Sequence, residues 1–515
     1  MADHFVMPYD GMQFANIFRQ PGMRTPDRGE TMNESEKTRT STGIEGLDEI
    51  LNGGFLSGRS YLVRGGPGTG KTTLGLHFLV CGVQNGENAL FITLEEPADK
   101  IREDGNRLGF NLEGIHFLDL SPSSEFFAQS ESYDLFSPAE IEREPITKQI
   151  VETITRIKPS RIFLDPLTQF RYLSSNLFLF RKQALSFMRY LNDLGATLLL
   201  TSEQSSEAPD EDLQFMVDGI IDLKHYEKGS TISILKLRGS GFKGLKHSMR
   251  LTSSGIQVFP RIVPQAAFKD YAFEQLPSGV PELDQMTNGG LERGTVTIFS
   301  GPSGTGKTTL GFQFMREAAG RGERSIVYSF DEAVPIMIQR CESISIPAKA
   351  MINHGSLLVQ KIEPMRYSSN EFARMVRNEV ERNDARLIMI DSIAGYALSV
   401  HGDSIVNSLH SLCKYLQHMG VSVILIAETS NLLGSSQVTD VKISYLADSI
   451  INLRYLEMKG GLHKAIGVVK KRLSDFEKTL REFEITKSGI RVGKPLFSLR
   501  HIMSDKPELI EPETS

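Results

Sequence analysis

Short, nearly continuous apolar runs alternate along this chain with longer stretches in which apolar residues recur every three or four positions. Residues 60–64, 89–93, 161–165 and 196–201 read as buried strands in the first half, and residues 296–300, 325–330, 387–391 and 421–427 in the second. Strands of that character, separated by helix-length amphipathic stretches, predict a mostly parallel sheet with helices on both faces. Each half closes with β-rich segments such as Thr231-Ile-Ser-Ile-Leu-Lys-Leu237, which read as antiparallel hairpins. The fold class is α/β in both halves.

The halves repeat one another. Thr42-Gly-Ile-Glu-Gly-Leu-Asp-Glu-Ile-Leu-Asn-Gly-Gly54 returns 236 positions later as Ser278-Gly-Val-Pro-Glu-Leu-Asp-Gln-Met-Thr-Asn-Gly-Gly290. The same offset relates two glycine-rich loops and the acid pairs Glu95-Glu96 and Asp331-Glu332; it slips to 226 where Phe163-Leu-Asp165 meets Met389-Ile-Asp391. Such self-similarity doubles every site. Prolines 260 and 264 mark a boundary, so residues 41–262 form one lobe and 263–502 the other. Residues 1–40 end in a stretch, 24–40, with four basic and four acidic side chains and almost nothing apolar; they read as disordered, and residues 503–515 as a flexible acidic tail.

Composition narrows the function. At 515 residues the chain exceeds one hydrophobic core, and it contains no run of ~18 apolar residues that could span a bilayer, so no membrane role is expected. Its net charge of −6 gives no overall attraction to nucleic acid. Cys81, Cys341 and Cys413 lie far apart with no zinc or disulfide spacing, and the N-terminus lacks a secretory h-region, which together point to the cytoplasm.

Residues 65–72 and 301–308 both fit G-x-x-x-x-G-K-[ST], each after a predicted strand and before a predicted helix. Glycine is needed there because successive backbone N–H groups must turn inward around an anion, and the helix N-terminus adds partial positive charge. The candidate nucleotide-binding residues are Gly66, Gly68, Thr69, Gly70, Lys71, Thr72 and Thr73, and in the second lobe Ser303, Gly304, Thr305, Gly306, Lys307, Thr308 and Thr309. Lys71 and Lys307 would reach the β and γ phosphates of ATP, while Thr72 and Thr308 would offer hydroxyls to Mg²⁺. The alternative is a glycine-rich structural turn. Asp165 and Asp391 each end an apolar strand, where a carboxylate is costly unless it holds a metal through its water shell or caps the next helix.

Glu95-Glu96 and Asp331-Glu332 fall just past the second predicted strand, at the carboxyl edge where such folds bind ligands. They can activate a nucleophile or cap the helices that Pro97 and Pro335 begin. The first acid of each pair is assigned the catalytic role and the second a supporting one. Lys236-Leu-Arg238 and Lys470-Lys-Arg472 end a β-type segment in each lobe, suiting either a solvated edge strand or phosphate contact from a neighbouring subunit.

With those residues in place, the chain resembles the KaiC family, the double-lobed RecA-like ATPases and autokinases of the bacterial circadian system. The resemblance covers roughly residues 40–493 and rests on the duplicated lobe, both phosphate loops, the acid pairs, the strand-end aspartates and both Lys-x-Arg elements. It implies two tandem RecA-like P-loop lobes in a two-tiered homohexameric ring with ATP and Mg²⁺ between neighbours. By resemblance the first lobe hydrolyses ATP and the second phosphorylates serine or threonine of its own chain across the interface, in a circadian-type or stress-signalling timing system. Lys236, Arg238, Lys470 and Arg472 would supply charge to the neighbour's nucleotide.

The family's phosphoacceptor stretch here reads Thr439-Asp-Val-Lys-Ile-Ser-Tyr-Leu-Ala-Asp448. The resemblance makes Ser444 the expected acceptor and Thr439 a weaker one. Tyr445 stands where the cyanobacterial clock protein has threonine, its hydroxyl several Å farther from the backbone, which argues against a two-site ordered cycle. Asp331 replaces the family's glutamate, Gln204 replaces an arginine, and Leu473 replaces a glycine. No segment resembling the KaiA-recruiting tail is found, while residues 132–136 resemble the family's first-lobe docking loop for a KaiB-like partner. Two other readings remain: a RecA- or RadA-type DNA-dependent ATPase, against which the acids among the aromatics of residues 121–138 argue, and a nucleotide-gated scaffold with little kinase activity.

Overall fold

In a computed structural model of the chain, the structure describes residues 39–122, 139–171, 177–203, 210–227, 229–264, 269–401, 405–429, 444–458, 460–496, 499–500 and 508–509. Thr439, Gln204 and the docking-loop residues 132–136 lie outside them.

The first lobe is built on strands β1 (Ser60–Gly65), β2 (Ala89–Thr93), β3 (Ile115–Asp119), β4 (Arg161–Asp165), β5 (Thr197–Glu203), β6 (Gly219–Tyr226), β7 (Gly229–Leu237), β8 (His247–Thr252) and β9 (Gly255–Phe259). They form one nine-stranded sheet in the order 3-2-4-5-1-6-7-8-9. Pairing is parallel from β3 to β6 and antiparallel from β6 to β9. The second lobe repeats this with β10 (Val296–Gly301), β11 (Arg324–Ser329), β12 (Leu357–Lys361), β13 (Ala385–Asp391), β14 (Ser422–Glu428), β15 (Ser449–Met458), β16 (Gly461–Lys471), β17 (Arg481–Thr486) and β18 (Gly489–Pro495). Their order, 12-11-13-14-10-15-16-17-18, is the same topology. The mostly parallel sheets and terminal hairpins expected from the apolar pattern are therefore present in both lobes. The pattern missed edge strands β3 and β12, whose partly exposed positions carry polar residues.

Two details depart from the compositional expectation. Arg39–Thr40 pairs with Phe55–Leu56, so ordered structure starts two residues before the anticipated boundary. In the acidic tail, Glu508–Leu509 pairs with Leu499–Arg500, since backbone ladder bonds do not require apolar composition.

Helices cover both faces of each sheet and enclose two apolar layers per lobe. On one face the helix Lys71–Gln84 crosses β4 so closely that a Cβ on Gly75 would lie 2.2 Å from the Phe163 ring. Gly311 of helix Lys307–Gly320 meets Met389 of β13 at the same separation. The glycines let each phosphate-loop helix sit directly behind the strand that ends in an aspartate.

The lobes are joined by ion pairs along the helix Ser369–Asn383. Arg250 pairs with Glu371 at 2.9 Å, Arg374 with Glu45 at 2.7 Å and Arg377 with Glu49 at 2.9 Å. Glu371 also closes that helix's capping box, accepting from the Ser368 N–H at 2.6 Å.

Candidate functional site

Each glycine-rich loop leaves the central strand, β1 or β10, and runs into a helix. The left-handed backbone at Gly70 (φ 95°) and Gly306 (φ 107°), which only glycine adopts readily, makes the turn from loop to helix. Gly68 and Gly304 are also left-handed, and a Cβ on Gly66 or Gly68 would meet nothing within 4 Å. The threonines inside the loops brace them: Thr69 Oγ1 donates to the Gly66 carbonyl at 2.8 Å and Thr305 Oγ1 to the Pro302 carbonyl at 2.9 Å. Lys71 Nζ donates to the carbonyls of Gly65 and Gly66, and Lys307 Nζ to those of Gly301 and Pro302. Thr73 and Thr309 follow in the first helical turn, Thr309 buried.

The strand-end aspartates meet these loops. Thr72 Oγ1 donates to Asp165 Oδ2 at 2.6 Å, and Thr308 Oγ1 to Asp391 Oδ2 at 2.7 Å. Thr201 donates to the other Asp165 oxygen. Burial pushes both carboxyls above the usual aspartate range, Asp391 to about 6, against the hydroxyls that favour the charged form. A hydroxyl and a carboxylate at that separation are hard oxygen donors of the kind Mg²⁺ takes alongside phosphate oxygens. The donor set fits the ion in both lobes.

Burial also lowers both loop lysines below the usual lysine range, and nearby carboxylates oppose it: Asp165, Glu203 and Glu95 around Lys71, Glu428 and Asp391 around Lys307. Glu203 and Glu428 were not anticipated. They end β5 and β14 directly across the ladder from Gly65 and Gly301. Glu95 lies within hydrogen-bonding reach of Glu203. Burial first, then Glu203 and Asp165, push its carboxyl up. The two acids of each pair make different contacts. Glu96 pairs with exposed Lys100 at 2.6 Å, a supporting position. Asp331 Oδ2 accepts from Ser392 Oγ at 2.9 Å, and Glu332 is gripped by Arg340 at 2.8 Å. Thr93 and Ser329 donate to the Glu96 and Glu332 carbonyls, holding both acidic turns alike.

In the second lobe these groups surround a cavity of 410 Å³, lined also by Lys464, Ile344, Ile426 and Ile485. Lys464 Nζ donates to the Gly304 carbonyl at 2.8 Å and Tyr455 Oη to the Ser303 carbonyl at 3.3 Å, so the hairpin β15–β16 supports the loop. Arg340, Ser392, Lys464 and Tyr455 carry no motif; only the repeat, had β14 been aligned with β5, could have exposed the Glu203–Glu428 equivalence.

The Lys-x-Arg elements do not join their own lobe's cradle. Lys236 and Lys470 pair with Ile220 and Ile450 near the start of β6 and β15, beside irregularities in the ladder that interrupt simple alternation. That is the amino edge of the sheet, whereas the loops leave its carboxyl edge. There Lys236 Nζ donates to the Gln214 carbonyl and Arg238 is exposed. Lys470 Nζ donates to the carbonyls of Ala447 and Ser444, at 2.6 and 3.3 Å, and Arg472 contacts Asp448 and the Tyr445 carbonyl. Ser444 and Tyr445 are exposed at the same edge. β10 is six residues long, about 20 Å at the rise of a strand, and separates this edge from the loop that begins at Gly301.

A KaiC ATPase family model matches residues 40–262 and again residues 276–496. Circadian clock protein KaiC3 of Synechocystis sp. is 29% identical over 486 residues, covering 91% of this chain and 94% of the relative. The circadian clock oscillator protein KaiC of Parasynechococcus marenigrum is 27% identical over 500 residues, covering 94% and 96%, and that of Nostoc sp. 28% over 490 residues, covering 92% of each. Among the described residues no helix is long and apolar enough to cross a membrane.

Proposed function

The chain belongs to the KaiC ATPase family, an assignment that carries ATP binding with it, and from that premise we propose an ATP hydrolase in the first lobe and a serine autokinase in the second. The two lobes would assemble as a homohexameric ring in the cytoplasm and serve a circadian-type or stress-signalling timing system, with a KaiB-like partner on the first lobe. In the cradles, backbone N–H groups and Lys71 or Lys307 grip the phosphates, and Thr72 with Asp165, or Thr308 with Asp391, would hold Mg²⁺. Bound there, Mg²⁺ would neutralise charge on the phosphate oxygens.

In the first lobe Glu95 orients a water and takes its proton as the water attacks the γ phosphorus, and ADP leaves. In the second lobe Asp331, steadied by Ser392, accepts the Ser444 hydroxyl proton while that oxygen takes the γ phosphoryl group. Positive charge at the γ phosphate comes from a neighbour's Lys470 and Arg472, and from Lys236 and Arg238 in the first tier.

One observation carries the trans arrangement. Ser444, Lys470 and Arg472 cluster at the sheet edge opposite their own phosphate loop, about 20 Å away along a six-residue strand. Phosphoryl transfer needs reacting atoms about 3 Å apart. Ser444 is therefore out of reach of its own lobe's nucleotide, which supports transfer between two copies of the chain.

The test is a mixing experiment with γ-labelled ATP and Mg²⁺. Lys307→Ala chains, which keep the acceptor, are combined with Ser444→Ala chains, which keep the cradle. Label on Ser444 of the Lys307→Ala chain is expected in the mixture and in neither chain alone. Label on Ser444→Ala chains in place of it would overturn Ser444 as the acceptor, and none in the wild type while ATP is still hydrolysed would leave an ATPase scaffold without kinase activity.

A further inference from the structure

The second lobe's cavity is lined by an arginine where the matching position of the first lobe carries an acid. Arg340, on the helix Val334–Ser343, lines that cavity together with Lys307, Thr308, Asp331, Glu332 and Asp391. The repeat offset places Asp104 at the matching position of the first lobe, where it faces Arg107 at 3.5 Å. Glu96, the counterpart of Glu332, is paired there with exposed Lys100.

The guanidinium is held by Glu332: Nη1 donates to Oε1 at 3.0 Å, while Nη2 lies 2.8 Å from Oε2 as an ion-pair contact that makes no hydrogen bond. Nε and Nη2 are both buried without a hydrogen-bond acceptor among the described residues, which is unfavourable for donors shielded from water. The group is thus a planar fork with donors to spare, held at the cavity wall by an acid. It lines the same cavity wall as Lys307, Thr308 and Asp391, the residues that would meet the metal and the phosphates.

The charge balance points the same way. The lining carries four carboxylates, Asp331, Glu332, Asp391 and Glu428, against three cations, Lys307, Lys464 and Arg340. A triphosphate brings more negative charge than the single Glu332 carboxylate, so it offers the Arg340 guanidinium a stronger partner than its acid. Lys464 is engaged by the Gly304 carbonyl, and Lys470 and Arg472 lie at the far edge of the sheet. Arginine suits the task because its fork matches two phosphoryl oxygens at once.

We propose that Arg340 is a phosphate-contacting residue acting in cis in the second lobe alone, exchanging Glu332 for the γ-phosphoryl oxygens when ATP enters and so making that lobe favour ATP over ADP. This rests on the reading that the second lobe binds ATP.

The experiment titrates the full-length chain with fluorescent ATP and ADP, taking the uptake lost in Lys307→Ala as the second-lobe share. In Arg340→Ala the second-lobe affinity for ATP should fall about tenfold or more, the size of a lost charge-assisted hydrogen bond, while affinity for ADP holds. Arg340→Lys should recover part of the loss. Glu332→Gln should tighten ATP, because the competing acid no longer holds the fork. Equal weakening for ATP and ADP, or unchanged ATP affinity, overturns the proposal. If Lys307→Ala takes up as much nucleotide as the wild type, the second lobe binds none and the functional reading itself falls.

Discussion

Glu203 stands directly across the parallel ladder from Gly65, the first residue of the first phosphate loop. The placement puts a second carboxylate beside Glu95 at the edge where the γ phosphate of ATP would lie, and Glu95 cannot lose its proton without feeling that neighbour.

Glu203→Gln removes the neighbouring negative charge, and the Glu95 carboxyl should return toward its ordinary range. A general base works only when deprotonated, so first-lobe hydrolysis fails as the pH falls through the raised Glu95 value. The variant should shift that acid limb to lower pH. The pH dependence of ATP hydrolysis in a Lys307→Ala background checks this, and an unmoved limb argues against Glu95 as the base.

Asp391 provides a stability test. Its folded carboxyl is pushed up to about 6 by burial, from 3.8, so its contribution is fully present below pH 4 and is lost as pH rises through 6. Asp391→Asn should therefore stabilise the nucleotide-free protein near pH 7.5 by up to about 3 kcal/mol and have little effect near pH 4. Denaturant unfolding at the two pH values measures it. The same variant should lose Mg²⁺-dependent nucleotide binding in the second lobe.

Helix-to-strand contact at the glycines should differ between lobes. An alanine methyl at Gly75 meets the rigid Phe163 ring, whereas one at Gly311 meets the flexible Met389 thioether, each at 2.2 Å. Gly75→Ala should cost about 1–3 kcal/mol, as overpacking does, and Gly311→Ala clearly less, because methionine changes rotamer easily. Thermal unfolding of the two variants side by side decides it; equal losses contradict the contrast.

The lobe junction should loosen in acid. Glu49 accepts from Lys243 at 2.7 Å and from Arg377 at 2.9 Å. Burial pushes its carboxyl up, but those two hydrogen bonds prevail and hold it below the usual glutamate range. Its stabilisation is thus present above the ordinary glutamate value and disappears as pH falls through the lowered one. Glu49→Gln, at a site only partly shielded from solvent, should cost about 1 kcal/mol at neutral pH and faster proteolysis between the lobes. A cleavage rate equal to wild type would show that this contact does not hold the lobes together.

Local chemistry was readable where one residue type has one use. The glycines, lysines and threonines of both cradles, the strand-end aspartates and eight of the strands follow from spacing and period alone, because a loop wrapping phosphate tolerates little else at those positions. Edge strands β3 and β12 were obscured by polar residues on their exposed or partly exposed positions. Arg340 was invisible for another reason: on an amphipathic helix an arginine looks the same whether it faces solvent or a cavity, and only packing against Glu332 distinguishes them.

By itself, then, the order of amino acids determined the duplication, the α/β class and which atoms of each lobe are built to meet a triphosphate. Folding decided which distant residues share that meeting place. Glu203 and Glu428 arrive through the register of β5 and β14 against the central strands, while Lys470, Arg472 and Ser444 are carried to the opposite edge. Those outcomes depend on strand order and direction across the sheet, long-range pairings that no local spacing encodes.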